Sequence, residues 1–162
     1  MRVLVSLCLL GTFCRYNGER KAEEGVLSLL KREDVTLIPV CPEQLGGLST
    51  PRLPSEQREG KVFDKSGAEQ TEAFENGAKE VLRLAKLYGC EAAILKERSP
   101  SCGSKVIYDG TFQGVRISGD GVCAGLLKTN GIPVFGETEL PEFFEFLRKH
   151  GLIQCFLRRL NL

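Results

Sequence analysis

The sequence contains no tryptophan and a single histidine, His150. One histidine argues against zinc sites built from cysteine and histidine, and against a nucleophile triad that uses histidine as its base. His150 precedes Gly151 at a predicted helix end, where capping of that end is the favoured interpretation. Thiols are therefore the main candidates for metal or redox chemistry.

The chain also lacks an excess of one charge and any long apolar run. Its 22 Lys+Arg and 21 Asp+Glu residues give a formal net charge of +1, which does not indicate a nucleic-acid or acidic-lipid surface. Arg158 and Arg159 form the nearest thing to a basic patch and are interpreted as a solvated helix end. No stretch approaches the ~20 apolar residues of a membrane span. Residues 1–10 lack a small-residue cleavage site, so they predict a buried strand in a cytoplasmic protein.

Apolar runs and amphipathic stretches alternate along the chain. This alternation implies right-handed crossovers and a parallel sheet covered on both faces. We therefore predict one domain over residues 1–162, with a small three-layer, Rossmann-like α/β fold and a mainly parallel sheet of about four strands. The long segments 41–67 and 97–120 are rich in turn residues and are predicted to be loops. The predicted strands are Val3–Val5, Leu37–Val40, Ala92–Leu95 and Ile132–Phe135, and the predicted helices are Lys21–Arg32, Glu69–Leu87, Gly121–Lys128 and Glu139–Lys149.

Seven cysteines are many for a chain of 162 residues, and an odd, widely spread set is a poor disulfide framework. Ligands of open parallel sheets bind beyond the carboxyl ends of the strands. Cys8 follows the first predicted strand, Cys41 follows the second, and Cys102 lies in the loop after the third. These three thiols are therefore predicted to meet at one edge of the sheet.

The remaining cysteines divide differently. Cys90 precedes the third strand and belongs to the opposite edge, whereas Cys123 and Cys155 are interpreted as packed hydrophobic residues. Cys14 is ambiguous, because its loop belongs to the functional edge. Three thiolates without histidine suit soft ions and iron–sulfur clusters, but their spacing does not distinguish a cluster from unrelated core thiols.

Polar residues suited to acid/base chemistry follow the same strands. Glu43 lies two residues after Cys41, and Ser99 precedes Cys102. Asp109 is as well explained by a tight turn with Gly110 as by chemistry.

The glycine pair and the arginine that follow Cys41 give weaker evidence for a ligand-binding site. The Gly46–Gly47 pair and Arg52 could present backbone N–H groups and a guanidinium to an anion or a planar amide, and the glycines are expected to shape the pocket wall. The glycines around Asp120 form neither a P-loop nor a dinucleotide fingerprint.

Four motifs, in order along the chain, carry a family resemblance. They are SLCLLGTFCRYNG (6–18), CPEQLGGLSTPRLPSE (41–56), ILKERSPSCGS (94–104) and IYDGTFQG (107–114). Together they resemble the DUF523 family, whose studied members are thiouracil desulfidases, over a core of about residues 2–136; residues 137–162 form a C-terminal helix and tail. Leu7 departs from the small residue that this family commonly has before the first cysteine.

The resemblance implies a [4Fe–4S] cluster held by Cys8, Cys41 and Cys102, with Glu43 as acid/base residue and Ser99 also involved. The predicted reaction hydrolyses the C–S bond of a small thiolated pyrimidine such as thiouracil, with the substrate sulfur on the open iron and no net electron transfer. The alternative is a non-catalytic module that binds a metal or cluster, or carries sulfur, with Cys14 as a fourth thiolate. No membrane partner is expected.

Overall fold

Four parallel strands form the central sheet of the computed structural model, which describes residues 1–159 and side chains as far as residue 151. The predicted three-layer α/β fold with a four-stranded parallel sheet is confirmed. In chain order the elements are β1 (Arg2–Ser6), α1 (Glu24–Ser28), β2 (Thr36–Val40), α2 (Pro42–Leu45), β3 (Ser55–Arg58), β4 (Lys61–Asp64), α3 (Thr71–Tyr88), β5 (Ala92–Leu95), β6 (Val106–Tyr108), β7 (Arg116–Ser118), α4 (Val122–Thr129), β8 (Val134–Gly136) and α5 (Leu140–Arg159).

Alternating side chains of the buried strands build a hydrophobic core on each face of the sheet. Leu4 of β1 points to the face covered by α3 and α4, whereas its neighbours Val3 and Val5 point to the face covered by α1 and α5. Strand β5 alternates in the same way and is fully buried. Near-continuous apolar strands of this kind are typical of parallel sheets with helices on both faces.

The order of the strands determines where a ligand can bind. The sheet runs β2-β1-β5-β8, so the chain builds outward from β1 in one direction and then from β5 in the other. The switch point lies between β1 and β5, beyond the carboxyl ends of the strands. Cys8 lies directly after β1, in the 3-10 turn Leu7–Leu9. Cys102 lies in the segment that follows the end of β5 at Leu95. Both thiols are therefore on the side of the sheet where the switch point lies.

Two predicted loops contain secondary structure, and those predictions are wrong in part. Segment 41–67 holds α2 and the antiparallel hairpin β3–β4, and segment 97–120 holds the antiparallel hairpin β6–β7. The strands have three or four residues and bury few of them, and no residue of β7 is buried. Such strands lack the apolar alternation from which a half-buried strand is predicted.

The helices also differ from their predicted bounds. Helix α1 begins later than predicted because Ala22 forms an isolated β-bridge with Leu10. After Ser28 the helix continues as a 3-10 turn, Leu29–Lys31. Helix α5 continues past Gly151, so the predicted capping role of His150 is wrong; its Nε2 instead lies 2.5 Å from a carboxylate oxygen of Glu91.

The side chains of residues 152–162 are not described. The predictions for the Cys155 thiol and for the Arg158 and Arg159 side chains therefore lie outside the described residues.

None of the described helices has both the length and the apolar character of a membrane span.

Helix α2 is held against α3 by a contact between two glycines. A Cβ added to Gly77 of α3 would overlap the Pro42 carbonyl oxygen, and one added to Gly46 would overlap the Ala73 carbonyl oxygen. Only residues without a side chain permit this approach of two helix backbones. Because α2 carries Glu43 and follows Cys41, the contact fixes the position of both relative to the sheet.

Replacing Gly77 with alanine tests this contact. We expect Gly77→Ala to lower the free energy of unfolding by about 1–3 kcal/mol, because the new methyl forces α2 away from α3. Gly125→Ala is the matched control: this helical glycine has ordinary space around a new Cβ, 3.7 Å from the Asp120 Cβ, so the change should be neutral or stabilising by up to about 1 kcal/mol. Equal stabilities of the two variants in chemical denaturation would contradict the packing argument.

Candidate active site

A pocket of about 550 Å³ opens at the carboxyl edge of the sheet, and four thiols line it. Three are the candidates from the sequence, Cys8, Cys41 and Cys102, and the fourth is Cys14. Cys90 and Cys123 are not among the lining residues. The structure therefore brings together every thiol that the sequence places on this edge.

Four backbone N–H groups donate hydrogen bonds that hold the turn around Cys102. The N–H groups of Ser101 and Cys102 each donate to the Ser99 hydroxyl oxygen at 3.1 Å. The N-terminus of α4 holds the same turn, because the N–H of Val122 donates to the Pro100 carbonyl at 3.0 Å and the N–H of Cys123 to the Ser101 carbonyl at 2.9 Å. These contacts use N–H groups that would otherwise have no partner at the helix start.

Glycines allow α4 and the Cys102 turn to approach so closely. A Cβ on Gly121 would overlap the backbone of Ser101, and one on Gly103 would stand 2.8 Å from the Val106 carbonyl oxygen. The segment around Asp120, which matched no phosphate-binding motif, therefore serves to fix Cys102.

Two other thiols of the pocket act on Cys14. The Cys41 Sγ lies 4.0 Å from the Cys14 carbonyl oxygen, and Cys8 and Cys41 both affect the pKa of the Cys14 thiol. Cys102 is buried, with 5% of its surface exposed, and the Ser6 hydroxyl that acts on its pKa accepts a hydrogen bond from the Lys96 N–H at 2.9 Å. Ser6 ends β1, so the first strand helps to position the third candidate thiol.

The pKa values of Cys14, Cys41 and Cys102 are raised, which favours the neutral thiol. The hydrogen bond with Cys14 and then burial raise the pKa of Cys41 strongly, and burial is the first cause that raises the pKa of Cys102 well above its usual range. For Cys14, the hydrogen bond with Cys41 lowers the pKa, but the contact with Cys8 and burial outweigh it, so the net pKa is raised. Catalytic nucleophiles need a depressed thiol pKa, whereas a bound metal deprotonates its own ligands.

This set of donors fits a cluster better than a single ion. Within the described part of the chain, no three or more His, Cys, Asp or Glu side chains surround one point closely enough to hold a metal ion. A zinc ion draws all its thiolates to about 2.3 Å from one centre, whereas the thiolates of an iron–sulfur cube attach to different irons and stand farther apart. Four thiols line one pocket, and thiolates are the ligands that iron–sulfur clusters take.

Glu43 lines the same pocket and is held by two partners. The Arg52 guanidinium binds its Oε2, with Nη2 at 2.5 Å and Nε at 2.8 Å. The Ser99 hydroxyl donates to its other oxygen, Oε1, at 3.4 Å. The candidate acid/base residue from the second motif and the candidate serine from the third motif are therefore in contact.

The role of Arg52 could not be assigned from the sequence. Its Nη1 donates to the Ser49 carbonyl at 3.0 Å, and its Nη2 donates to the Cys14 carbonyl at 3.1 Å. One guanidinium therefore connects the carboxylate of Glu43 to the backbone of a pocket-lining thiol. The planar fork of arginine is suited to several hydrogen bonds at fixed angles.

Aromatic side chains line the outer part of the pocket. Tyr16, Tyr108 and Phe112 are among its lining residues, together with Leu7, the residue that departs from the family pattern. Asp109 does not line the pocket: its Oδ1 accepts hydrogen bonds from the Thr111 hydroxyl at 2.6 Å and N–H at 3.0 Å, and that hydroxyl contact lowers the pKa of Asp109. The turn interpretation of Asp109 therefore matches its observed contacts.

The Gly46–Gly47 pair does not form the pocket wall, and that prediction is wrong. Neither glycine is a lining residue, because Gly46 faces the backbone of α3. Its lack of a side chain serves helix packing and not ligand binding.

Two residues of hairpin β3–β4 organise the pocket and were missed. Glu56, which is 9% exposed, accepts hydrogen bonds from the N–H groups of Gly110 at 3.0 Å and Phe112 at 2.9 Å. Gln57 donates through Nε2 to the Pro100 carbonyl at 2.8 Å and to the Asp120 carbonyl at 3.0 Å. Glu56 lies in the quoted second motif, but nothing in the spacing signals that it binds a distant loop.

Breaking the Arg52–Glu43 pair should be costly. The two side chains are 10% and 15% exposed, so Arg52→Ala should lower the free energy of unfolding by about 3 kcal/mol, the lower end for a broken buried pair. Arg32→Ala is the control, because Arg32 and Asp34 form a comparable pair at 42% and 54% exposure, which should contribute less than about 1 kcal/mol. Equal losses in urea denaturation would show that burial does not strengthen the first pair.

Comparison with known proteins identifies the family to which the chain belongs. The sequence model of the 2-thiouracil desulfurase family matches residues 3–139. The Bacillus subtilis (strain 168) protein described as uncharacterized protein YbbK is 45% identical over 148 residues, which cover 85% of this chain and 97% of that protein. A solved structure described as the [4Fe-4S]-dependent thiouracil desulfidase TudS (DUF523Vcz) is 41% identical, with a TM-score of 0.85, covering 91% of this chain and 97% of the other. The DUF523 resemblance is confirmed, and the chain belongs to the 2-thiouracil desulfurase family.

Proposed function

We propose that this protein is a [4Fe–4S]-dependent thiouracil desulfidase that replaces the sulfur of its substrate with oxygen from water. The family match and the similarity to TudS support this function. The observation that carries it is the placement of Glu43, Ser99 and four thiols around one pocket. A pocket of about 550 Å³ is of the size that small-molecule sites have.

Cys8, Cys41 and Cys102 are the proposed ligands of the cluster. When bound, the cluster supplies an open iron that acts as a Lewis acid toward the substrate sulfur. Burial and neighbouring thiols raise the pKa of Cys41 and Cys102, so uptake of the cluster has to release their protons.

The chain's own residues manage the protons of the reaction. Water that attacks the thiocarbonyl carbon has two protons to lose, and departing sulfide has to gain them, so the reaction balances without electron transfer. Glu43 is the proposed carrier: its Oε2 is fixed by Arg52, and its Oε1 faces Ser99. A carboxylate that is held in place can accept a proton from water and return it to the leaving group.

Ser99 is proposed to position Glu43 and Cys102. Its oxygen accepts the N–H groups of Ser101 and Cys102, which leaves its single proton for Glu43. The aromatic rings of Tyr16, Tyr108 and Phe112 are proposed to accommodate the planar pyrimidine.

Sulfide release tests the function. Protein reconstituted anaerobically should contain iron and acid-labile sulfide and should convert 2-thiouracil or 4-thiouracil to uracil with release of sulfide. A fully loaded protein that releases no sulfide from either base would contradict the desulfidase proposal and favour a non-catalytic cluster-binding module.

Glu43→Gln should lower kcat by about 10²–10⁴-fold while the iron content stays unchanged, because the amide cannot carry a proton. Glu69→Gln is the matched control: Glu69 is an exposed carboxylate whose Oε2 lies 3.0 Å from Lys61 Nζ, and Glu69 does not line the pocket. Equal activity of Glu43→Gln and Glu69→Gln would remove Glu43 from the mechanism.

A further inference from the structure

One oxygen of the Glu56 carboxylate lacks a hydrogen-bond partner. Its Oε2 accepts the N–H groups of Gly110 at 3.0 Å and Phe112 at 2.9 Å, whereas no donor of the described residues reaches its Oε1. Among those residues, the Ser101 hydroxyl oxygen is the only fully buried side-chain polar atom without a partner, so Oε1 is accessible. Glu56 is 9% exposed and lines the pocket. With so little of the residue exposed, the pocket is the space open to Oε1.

The other glutamates of the pocket wall are less buried or already have partners. Glu23 and Glu97 line the pocket but are only half-buried. Glu43 has a partner on each of its two oxygens. Glu56 thus combines burial with an acceptor that the protein does not use. A buried acceptor without a partner is unfavourable, so a ligand that donates a hydrogen bond to it binds more tightly.

The other oxygen, Oε2, is held in place by the loop after β6. Phe112 has a φ of 58°, in the left-handed region that a bulky residue rarely adopts, and Oε2 binds its N–H. A Cβ added to Gly110 would stand 2.6 Å from the Arg58 Cβ, so this loop lies directly against the hairpin that carries Glu56. Glu56 cannot turn Oε2 toward a ligand without releasing two N–H groups. Oε1 is therefore the atom that it presents.

We propose that Oε1 of Glu56 accepts a hydrogen bond from a ring N–H of the thiolated pyrimidine and thereby selects bases that carry this N–H. The inference rests on the proposed function, because that function supplies the base. A thiouracil has ring N–H groups beside its thiocarbonyl and carbonyl groups, and an ionised carboxylate only accepts hydrogen bonds. A methyl group in place of the bound hydrogen leaves Oε1 without a partner. Sites built to bind an N–H discriminate strongly against analogues that lack it.

Glu56→Gln changes Oε1 and preserves the function of Oε2. The amide oxygen can still accept the N–H groups of Gly110 and Phe112, but an NH2 donor then replaces the acceptor that faces the pocket. We expect kcat/KM for thiouracil to fall at least about tenfold, as for the loss of a hydrogen bond to a charged group, while the iron content stays unchanged. Glu59→Gln is the matched control, because Glu59 is an exposed glutamate in the turn of the same hairpin and does not line the pocket. It should match wild type.

Methylated substrates separate recognition from a loosened loop. The test measures sulfide release from the base that wild type converts, 2-thiouracil or 4-thiouracil, and from its N1-methyl and N3-methyl forms. Wild type should discriminate against at least one methylated form by about tenfold or more, and Glu56→Gln should lose that discrimination. A loosened loop would instead weaken turnover of the parent and methylated bases alike.

Two results would overturn the inference and leave the desulfidase proposal intact. One is a kcat/KM of Glu56→Gln for the parent base equal to that of Glu59→Gln. The other is discrimination against the methylated bases that is absent in wild type or unchanged in Glu56→Gln. A fully loaded wild type that releases no sulfide from any of these bases would overturn both proposals.

Discussion

Parallel strand direction is the constraint on which the site depends. Because β1, β2, β5 and β8 run the same way, the segments that follow β1, β2 and β5 emerge at one edge of the sheet. Four thiols that lie as much as 94 residues apart in sequence, from Cys8 to Cys102 (102 − 8), therefore line one pocket. An antiparallel sheet would send alternate segments to opposite edges.

The edge itself is built by side chains that bind backbone groups. Glu56, Gln57 and Arg52 each bind N–H or carbonyl groups of another pocket loop, and Ser99 binds N–H groups of its own turn. Loops without regular secondary structure leave such groups without partners, and a buried group without a partner is costly. Most of the polar residues around the pocket thus have a structural task, and the carboxylate of Glu43 lines the pocket between Arg52 and Ser99.

The central sheet could be predicted from the sequence because its strands are short apolar runs, as in Ala92–Leu95, whose predicted and observed bounds agree. The hairpins could not, since Ser55–Arg58 has no apolar residue and is held by the side-chain contacts of Glu56 and Gln57. The placement of Cys8, Cys41 and Cys102 on one edge followed from topology. The contact between Cys14 and Cys41 did not, because it depends on the path of an irregular loop that sequence spacing does not specify.

Ser99 has no hydrogen-bonding capacity to spare. Both acceptor positions of its oxygen are used by backbone N–H groups of the Cys102 turn, and its only proton is directed to Glu43. The same oxygen therefore anchors the backbone that carries Cys102 and contacts the carboxylate of Glu43. Through this one hydroxyl, a movement of the carboxylate would be felt by the turn that positions a thiol.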